Sequence, residues 1–476
     1  MSLRNIPELR IISRIQLENA WWISGAIDDF HRNMRPRAYL DRFLRLVREV
    51  QEEGVRRAPI LMGPRRVGKT VLLYHLVQAL IDGGLDPRRI CYVSVEHPVY
   101  NGLGLDDFVR LGCAAAGGPE NDLVGRVFMF DEIQYLKGWE LHMKTLVDRY
   151  PQMVWIASGS AAAALRLKSH ESGAGRFTDF LLPPLAFHEY VTLRGEADLV
   201  VLPASPTGWC TTPDLDALNE LFVDYLNYGG YPEVALSEAI RADPARYVRQ
   251  DIIDKVLLRD LPSLYGIADI QELNSLFTAL AYNTANEISL DTLSQRAGIA
   301  KNTVKRYLEY LEAAFLMRRV QRVGQDGRRF QRAHHFKVYL TNPSLRAALF
   351  SPIDADHPDM GAVVETAIFG QWFHGTHDDL YYARWKGGEV DLVHCSSFGE
   401  IVWACEAKWS DRFAESPHEL DSLIAFCRRH SLPEAVVTTR TRTRQVDVDG
   451  LRIDCQPASL YCYGIGHGIV RDQPAI

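Results

Sequence analysis

Nowhere in the 476 residues do roughly 18 apolar residues run consecutively, so no helical membrane span is expected. Charges run through the opening MSLRNIPELRIISRIQ, where a secretory leader needs an apolar stretch, and a cytoplasmic protein outside the membrane is expected. Cysteine is sparse and scattered. The eight thiols between Cys91 and Cys462 form no CxxC pair and no metal-ligand spacing, which points to reduced, mostly buried thiols rather than a disulfide framework. Net positive charge is missing as well. At −7 the chain has no global reason to bind nucleic acid or anionic lipid, so any such binding must come from a local basic patch. Internal repeats and low-complexity tracts are also absent.

The length instead calls for roughly three domains, and composition is that of an ordinary globular protein. Short apolar runs at Ala58–Met62, Ile90–Val95, Val127–Phe130, Val154–Ala157 and Phe180–Leu185 alternate with segments of helical character. That pattern predicts an α/β fold with a parallel sheet covered on both faces. Proline, glycine, serine and threonine around residues 203–213 mark a loop, after which the sequence reads as helical to about Leu280. A second break, Ser351-Pro352 to His357-Pro358, precedes a final stretch of alternating strand and helix.

Gly63-Pro64-Arg65-Arg66-Val67-Gly68-Lys69-Thr70 matches G-x-x-x-x-G-K-[ST], follows the apolar strand PILM and opens the helical segment VLLYHLVQAL, beginning at Val71. In such a loop, backbone N–H groups and a helix N-terminus cradle phosphates, Lys69 reaches the β- and γ-phosphates, and the Thr70 hydroxyl holds Mg²⁺. ATP and Mg²⁺ are therefore the expected cofactors. VFMFDE supplies the acidic half of the site: Asp131 for the Mg²⁺ through water, Glu132 to polarise the attacking water. The strand ending in Ser158-Gly159-Ser160 would place a polar group beside the γ-phosphate. Arg176, closing Glu171-Ser172-Gly173-Ala174-Gly175-Arg176 before the fifth strand, sits where an oligomeric ATPase offers a finger to its neighbour, and a homo-oligomer is expected on that ground.

Taken together, GPRRVGKT, FMFDEIQ, ASGS, GRF followed by PPLAFHEY, YGGYPEV and LLRDLP resemble one widespread prokaryotic AAA+-type ATPase family. In that family a C-terminal domain of uncharacterised function, related to restriction-endonuclease-like folds, follows the ATPase. The resemblance runs over roughly residues 35–465. It implies an ATPase core to about residue 195, a helical lid over 196–280, a winged helix over 281–350 and a nuclease-like domain over 351–476.

The residues themselves carry two further expectations. ISLDTLSQRAGIAKNTVKRYLEYLEAAFL has helix-turn-helix spacing, with Leu290, Leu293 and Ala297 on one inner face and Val304, Leu308 and Leu311 on the next. Lys301, Asn302, Lys305 and Arg306 would face outward, and Ala300 forfeits an N-cap worth about 1 kcal/mol. Arg318, Arg319, Arg322, Arg328, Arg329, Arg332 and Lys337 follow around a turn at Gly324 and Gly327, the best footprint for nucleic acid in the chain. Farther on, Glu365 lies in a helical stretch, Asp391 in the strand GEVDLV, and Glu406 and Lys408 in IVWACEAKW. A hairpin would set Asp391 beside Glu406, two carboxylates able to hold a divalent ion. Lys408 would then serve the reacting phosphate and Glu365 would help orient the metal. This resembles the D…ExK arrangement of PD-(D/E)XK nucleases, and the apolar flanks place these charges where burial must be compensated.

Overall fold

A computed structural model describes residues 7–52, 54–117, 123–159, 175–205, 208–267, 269–328, 335–375 and 380–472. The chain divides into two compact units, the first ending at Pro183 and the second beginning at Pro184.

The first unit is built on strands β1 (Ala58–Met62), β2 (Ile90–Ser94), β3 (Val127–Asp131), β4 (Val154–Gly159) and β5 (Phe177–Leu181). They form a sheet in the order β2-β3-β4-β1-β5, and every pairing is parallel. β1, β3 and β4 are buried along their whole length, as the uninterrupted apolar runs require of central strands. β5 ends earlier than its apolar run suggests, because Pro183 and Pro184 cannot donate to a ladder. β2 is an edge strand, yet its backbone is not left open. The buried Asn19 side chain accepts from Tyr92 N (2.7 Å) and donates to Tyr92 O (2.7 Å), imitating a paired strand. The indole N–H groups of Trp21 and Trp22 both donate to Ile90 O.

The second unit holds a nine-stranded mixed sheet. Its strands are β6 (Glu287–Ser289), β7 (Met317–Val323), β8 (His335–Leu340), β9 (Leu380–Trp385), β10 (Gly388–Cys395), β11 (Ile401–Glu406), β12 (Glu434–Thr439), β13 (Arg444–Val448) and β14 (Leu451–Pro457). They lie in the order β13-β14-β12-β11-β10-β9-β7-β8-β6. Helices Leu290–Ala297 and Lys301–Ala313 fill the space between β6 and β7. Gly298 takes the left-handed conformation (φ 67°) of the turn between them, and Ala300 offers no side-chain cap.

Segments expected as a lid, a winged helix and a terminal domain, with boundaries at 195, 280 and 350, are thus not separate bodies here. β7 pairs in parallel with β9, Gln321 opposite Tyr381 through Val323 opposite Ala383, so the β7–β8 hairpin and the C-terminal strands are one sheet. One apolar core runs through Phe222 and Tyr225 of the helical stretch, Val320 and Tyr339 of the hairpin, and Val364, Phe369 and Tyr461 of the terminal segment. Contiguous burial of this kind makes a single folding unit. A chain ended at Phe350 should therefore fail to fold beyond Pro184, leaving β7 without β9. Rapid proteolysis of residues 184–350 and loss of their cooperative unfolding transition are the expected readouts.

Candidate functional site

Two charged clusters are built at strand ends, one in each unit. In the first, β1 runs into the loop 63–68 and the helix Lys69–Asp82 begins at once. Gly68 (φ 93°) and Arg66 (φ 65°) take left-handed conformations that turn the loop back on itself. Gly63 has no room for a side chain, since a Cβ there would lie 2.2 Å from Leu182 O. Lys69 is buried and donates to Gly63 O (3.1 Å) and Pro64 O (2.9 Å), within the loop it serves. Arg37, also buried, clamps the same loop by donating to Val67 O (2.6 Å) and Pro183 O (3.0 Å). Nothing in RPRAYL distinguishes this arginine from a solvated one in sequence.

Asp131, at the end of β3, is the hub. Its Oδ2 accepts from the Thr70 hydroxyl (2.7 Å) and the Tyr92 hydroxyl (2.7 Å). Its Oδ1 accepts from the Ser158 hydroxyl at the end of β4 and from Glu132 N (3.2 Å). Ser158 Oγ in turn accepts from Glu132 N at 3.3 Å. Glu132 itself stands at φ 56°, an uncommon conformation for a side-chain-bearing residue, and its carboxylate accepts from Gln134 Nε2. A hydroxyl and a carboxylate beside a phosphate-cradling loop are the donor chemistry a hard Mg²⁺ takes, so Thr70 and Asp131 fit that ion. Val71 lies within the first helical turn. Tyr92 is the partner the sequence did not disclose; burial, followed by the adjacent Asp131 charge, drives its hydroxyl pKa upward.

Arg176 does not belong to this cluster. It precedes β5, its carbonyl accepts from Ala58 N at the start of β1, and its guanidinium pairs with Asp148. The length of β1 therefore separates it from the loop, about 17 Å of strand. Ser160 and Glu171–Ala174 lie outside the described residues.

In the second unit, β10 and β11 form the expected hairpin, with Leu392 opposite Cys405 and hence Asp391 beside Glu406. A bulge between Val390 and Val393, where β10 meets β9, falls on Asp391. Lys408, just beyond the end of β11, reaches Glu406 Oε1 (2.8 Å) and Asp391 Oδ2 (3.1 Å). Its N–H donates to Thr438 Oγ1 (2.7 Å), and Asp391 Oδ2 also accepts from Ala407 N (3.1 Å). Glu365 on the helix Met360–Trp372 does not join Glu406. Its Oε1 accepts from the Tyr339 hydroxyl (2.6 Å) and from Lys337 Nζ (2.9 Å). Lys337 also reaches Glu389 (2.7 Å) and Asp391 Oδ1 (3.4 Å).

Lys337 is thus no part of an exposed basic hairpin; it is buried among carboxylates. Other basic residues of that patch are neutralised too. Arg319 pairs with Glu312, Arg322 lies 3.8 Å from Glu287, and Lys301 pairs with Asp291 (2.6 Å). Lys305, Arg306 and Asn302 are exposed, as is Arg328 near Asp326. Arg329 and Arg332 lie outside the described residues.

Burial, then the Asp391 charge, pushes Glu365 up to about 7 and Glu406 up to about 8. Burial would raise Asp391 also, but the Lys408 and Lys337 ammonium groups hold it below the usual range. Both lysines are shifted upward, their neighbouring carboxylates outweighing a burial effect of opposite sign. Among the described residues, no three carboxylate, imidazole or thiol groups converge as metal ligands. Asp391 turns one oxygen to each ammonium, so Glu365, Asp391 and Glu406 do not fit a divalent ion in this arrangement.

Residues 55–191 match a family profile described as "AAA domain", and residues 219–356 match one described as "Domain of unknown function (DUF8612)". The chain is 22% identical over 401 residues to an uncharacterised protein of Haemophilus influenzae, covering 83% of this chain and 92% of that one. It is 21% identical over 357 residues to an uncharacterised protein of Methanocaldococcus jannaschii, covering 73% and 74%. Among solved structures it is similar to the Aeropyrum pernix ORC1 protein in complex with DNA, at 14% identity and a TM-score of 0.30, over 69% of this chain and 95% of that one. Residues 55–191 thus combine a match to the AAA-domain profile with an all-parallel sheet and a loop of P-loop geometry between β1 and its helix.

The raised carboxyls have a consequence for stability. The folded chain keeps protons on Glu365 and Glu406 that the unfolded chain, with these groups near 4.5, has already released. Stability of the second unit should therefore fall as pH rises from about 5 to 8. The Glu365→Gln/Glu406→Gln variant should lose less over that window, as read by denaturant unfolding at several pH values.

Proposed function

We propose that this chain is an ATP-hydrolysing protein that acts on nucleic acid, its C-terminal cluster of acids and lysines being the place where a phosphodiester is engaged. The observation that carries the ATPase half is the network joining Thr70, Asp131, Ser158 and Glu132 across three strand ends. Such a network preorganises charge where the γ-phosphate would sit, and preorganisation is the larger part of phosphoryl-transfer catalysis.

In this reading the loop 63–68 wraps the phosphates with backbone N–H groups, and Lys69 leaves its loop carbonyls for the β- and γ-phosphates. Thr70 and Asp131 would hold Mg²⁺, which supplies charge neutralisation on the phosphate oxygens. Glu132 orients and deprotonates water. Ser158, bonded to both Asp131 and the Glu132 backbone, fixes the angle between metal ligand and base. Arg176 lies too far along β1 to serve its own nucleotide and is assigned to a neighbouring copy, which makes a homo-oligomer part of the proposal. Lys69→Ala and Glu132→Gln should each lower ATP turnover by at least about a hundredfold. Glu132→Gln should retain nucleotide binding, and a phosphate-release assay with fluorescent-nucleotide titration separates the two effects.

The nucleic-acid half rests on the adjacency of Asp391, Glu406 and Lys408, the D…ExK set, together with the exposed Lys305 and Arg306. A second reading is favoured by a specific observation: both oxygens of Asp391 already face lysines, and several arginines of the hairpin are paired. Under it, ATP occupancy toggles a partner-binding surface and the terminal segment only docks. The discriminating experiment is cleavage of labelled single- and double-stranded DNA and RNA, with Mg²⁺, Mn²⁺ or chelator, with and without ATP. Cleavage by wild type that is absent from Asp391→Ala/Lys408→Ala would support the first reading. No cleavage of any substrate would leave the ATP-gated switch.

A further inference from the structure

Arg37 is a buried cation that lies outside the loop motif yet holds the loop. Its side chain spans two backbone segments: Nη1 donates to Val67 O (2.6 Å) in the loop, and Nη2 donates to Pro183 O (3.0 Å) just beyond β5. Its guanidinium carbon lies 5.6 Å from the Tyr39 ring centroid, and Tyr39 meets Phe180 of β5 edge-on at 6.1 Å. Phe43, from the helix Leu40–Glu52, packs on the same Phe180 ring at 4.7 Å. The segment that carries Arg37 is therefore anchored on β5. The loop is fixed to that strand at its other end too. Leu182 N donates to Met62 O (2.7 Å), and Leu182 O stands where a Cβ on Gly63 would fall.

The residue that Arg37 grips lies between the two left-handed residues of the loop, Arg66 (φ 65°) and Gly68 (φ 93°). A residue with a side chain keeps that conformation only where its surroundings hold it. A charge-assisted hydrogen bond from an anchored guanidinium is such a hold, stronger than a neutral one. Its direction matters as much as its strength. In a planar trans peptide, the Val67 carbonyl and the Gly68 N–H point opposite ways. With the carbonyl turned to Arg37, the N–H is turned away from it. Gly68 is also the cap of the helix Lys69–Asp82, whose first-turn N–H groups have no partner within the helix. The cation further polarises the peptide it grips and makes that N–H a better donor. We infer that Arg37 is a positioning residue of the nucleotide site, holding the Val67–Gly68 peptide with its N–H directed at the phosphates so that nucleotide meets a loop already in shape. Arg37 acts through the loop rather than by touching phosphate. The inference rests on the reading of residues 63–70 as a nucleotide site and deepens it.

The test is titration of the full chain with a fluorescent ATP analogue and Mg²⁺, beside steady-state phosphate release from ATP. Arg37→Met keeps an unbranched side chain for packing and removes the donors. It should raise the dissociation constant about tenfold or more. KM should rise by a larger factor than kcat falls, because the Gly68 contact serves bound nucleotide and transition state alike. A role confined to folding would instead shrink the active fraction, lowering kcat while the folded molecules keep the parent's affinity. Arg37→Lys keeps the charge but cannot span both carbonyls, and should recover only part of the lost affinity. Parent affinity in Arg37→Met, or a kcat that falls by more than KM rises, overturns the inference. If circular dichroism shows that Arg37→Met does not fold, Arg37→Lys decides: weaker binding than the parent supports the inference, and equal binding overturns it. Lys69→Ala separates this from the underlying reading. A parent that binds no analogue, or a Lys69→Ala chain that binds it as tightly, removes the nucleotide site and the inference with it. Binding weakened by Lys69→Ala but untouched by Arg37→Met overturns the inference alone.

Discussion

The parallel pairing of β7 with β9 is the constraint on which the second unit depends. Three residue pairs, Gln321–Tyr381 to Val323–Ala383, join a hairpin to strands some sixty positions later. Without that pairing Lys337 would be parted from the carboxylates it now faces, leaving Lys408 on the buried Asp391, Arg384 near the half-buried Glu389, and Glu365 without its ammonium partner. Removing one member of a buried ion cluster typically costs about 3–5 kcal/mol. The sheet and the charge cluster therefore stabilise each other: the strands bring the charges together, and the charges penalise any register that separates them. A one-residue slip of β8 would turn Lys337 to the opposite face.

The P-loop unit follows a different logic, in which a single carboxylate gathers three strands. Asp131 accepts from residues following β1, within β2 and at the end of β4. Each donor is a hydroxyl, whose proton can rotate to another acceptor at little cost. The arrangement is firm in its heavy atoms and adaptable in its protons, which suits the Mg²⁺ site proposed for Thr70 and Asp131.

Much of the first unit could be read from sequence because the information is local. Uninterrupted apolar runs gave β1 to β4 nearly to their ends, and the glycine-lysine-threonine spacing located the loop. Asp131, Glu132 and Ser158 stand out in sequence because each ends an apolar run, and the structure brings the three together. Tyr92 and Arg37 do not, since a tyrosine in a strand and an arginine in RPRAYL carry no mark of their partners. In the second unit, the hairpin joining Asp391 to Glu406 was legible from one intervening turn. Lys337 was misassigned to the basic patch although HFKVYL holds it between apolar residues, the same signal that drew attention to Asp391. What sequence could not supply was the β7–β9 pairing and the bulge at Asp391, both of which depend on segments far apart in the chain.

Asn19 has a consequence for assembly. By presenting an amide to both the N–H and the carbonyl of Tyr92, it closes the middle of β2 to any incoming strand, and Trp21 and Trp22 occupy Ile90 O beside it. A second copy cannot add itself to this edge to make a continuous sheet across two molecules. Contact between copies would have to be made by side chains and helix ends, surfaces that can part and re-form through a nucleotide cycle. Backbone ladders, once zipped together, do not readily do so.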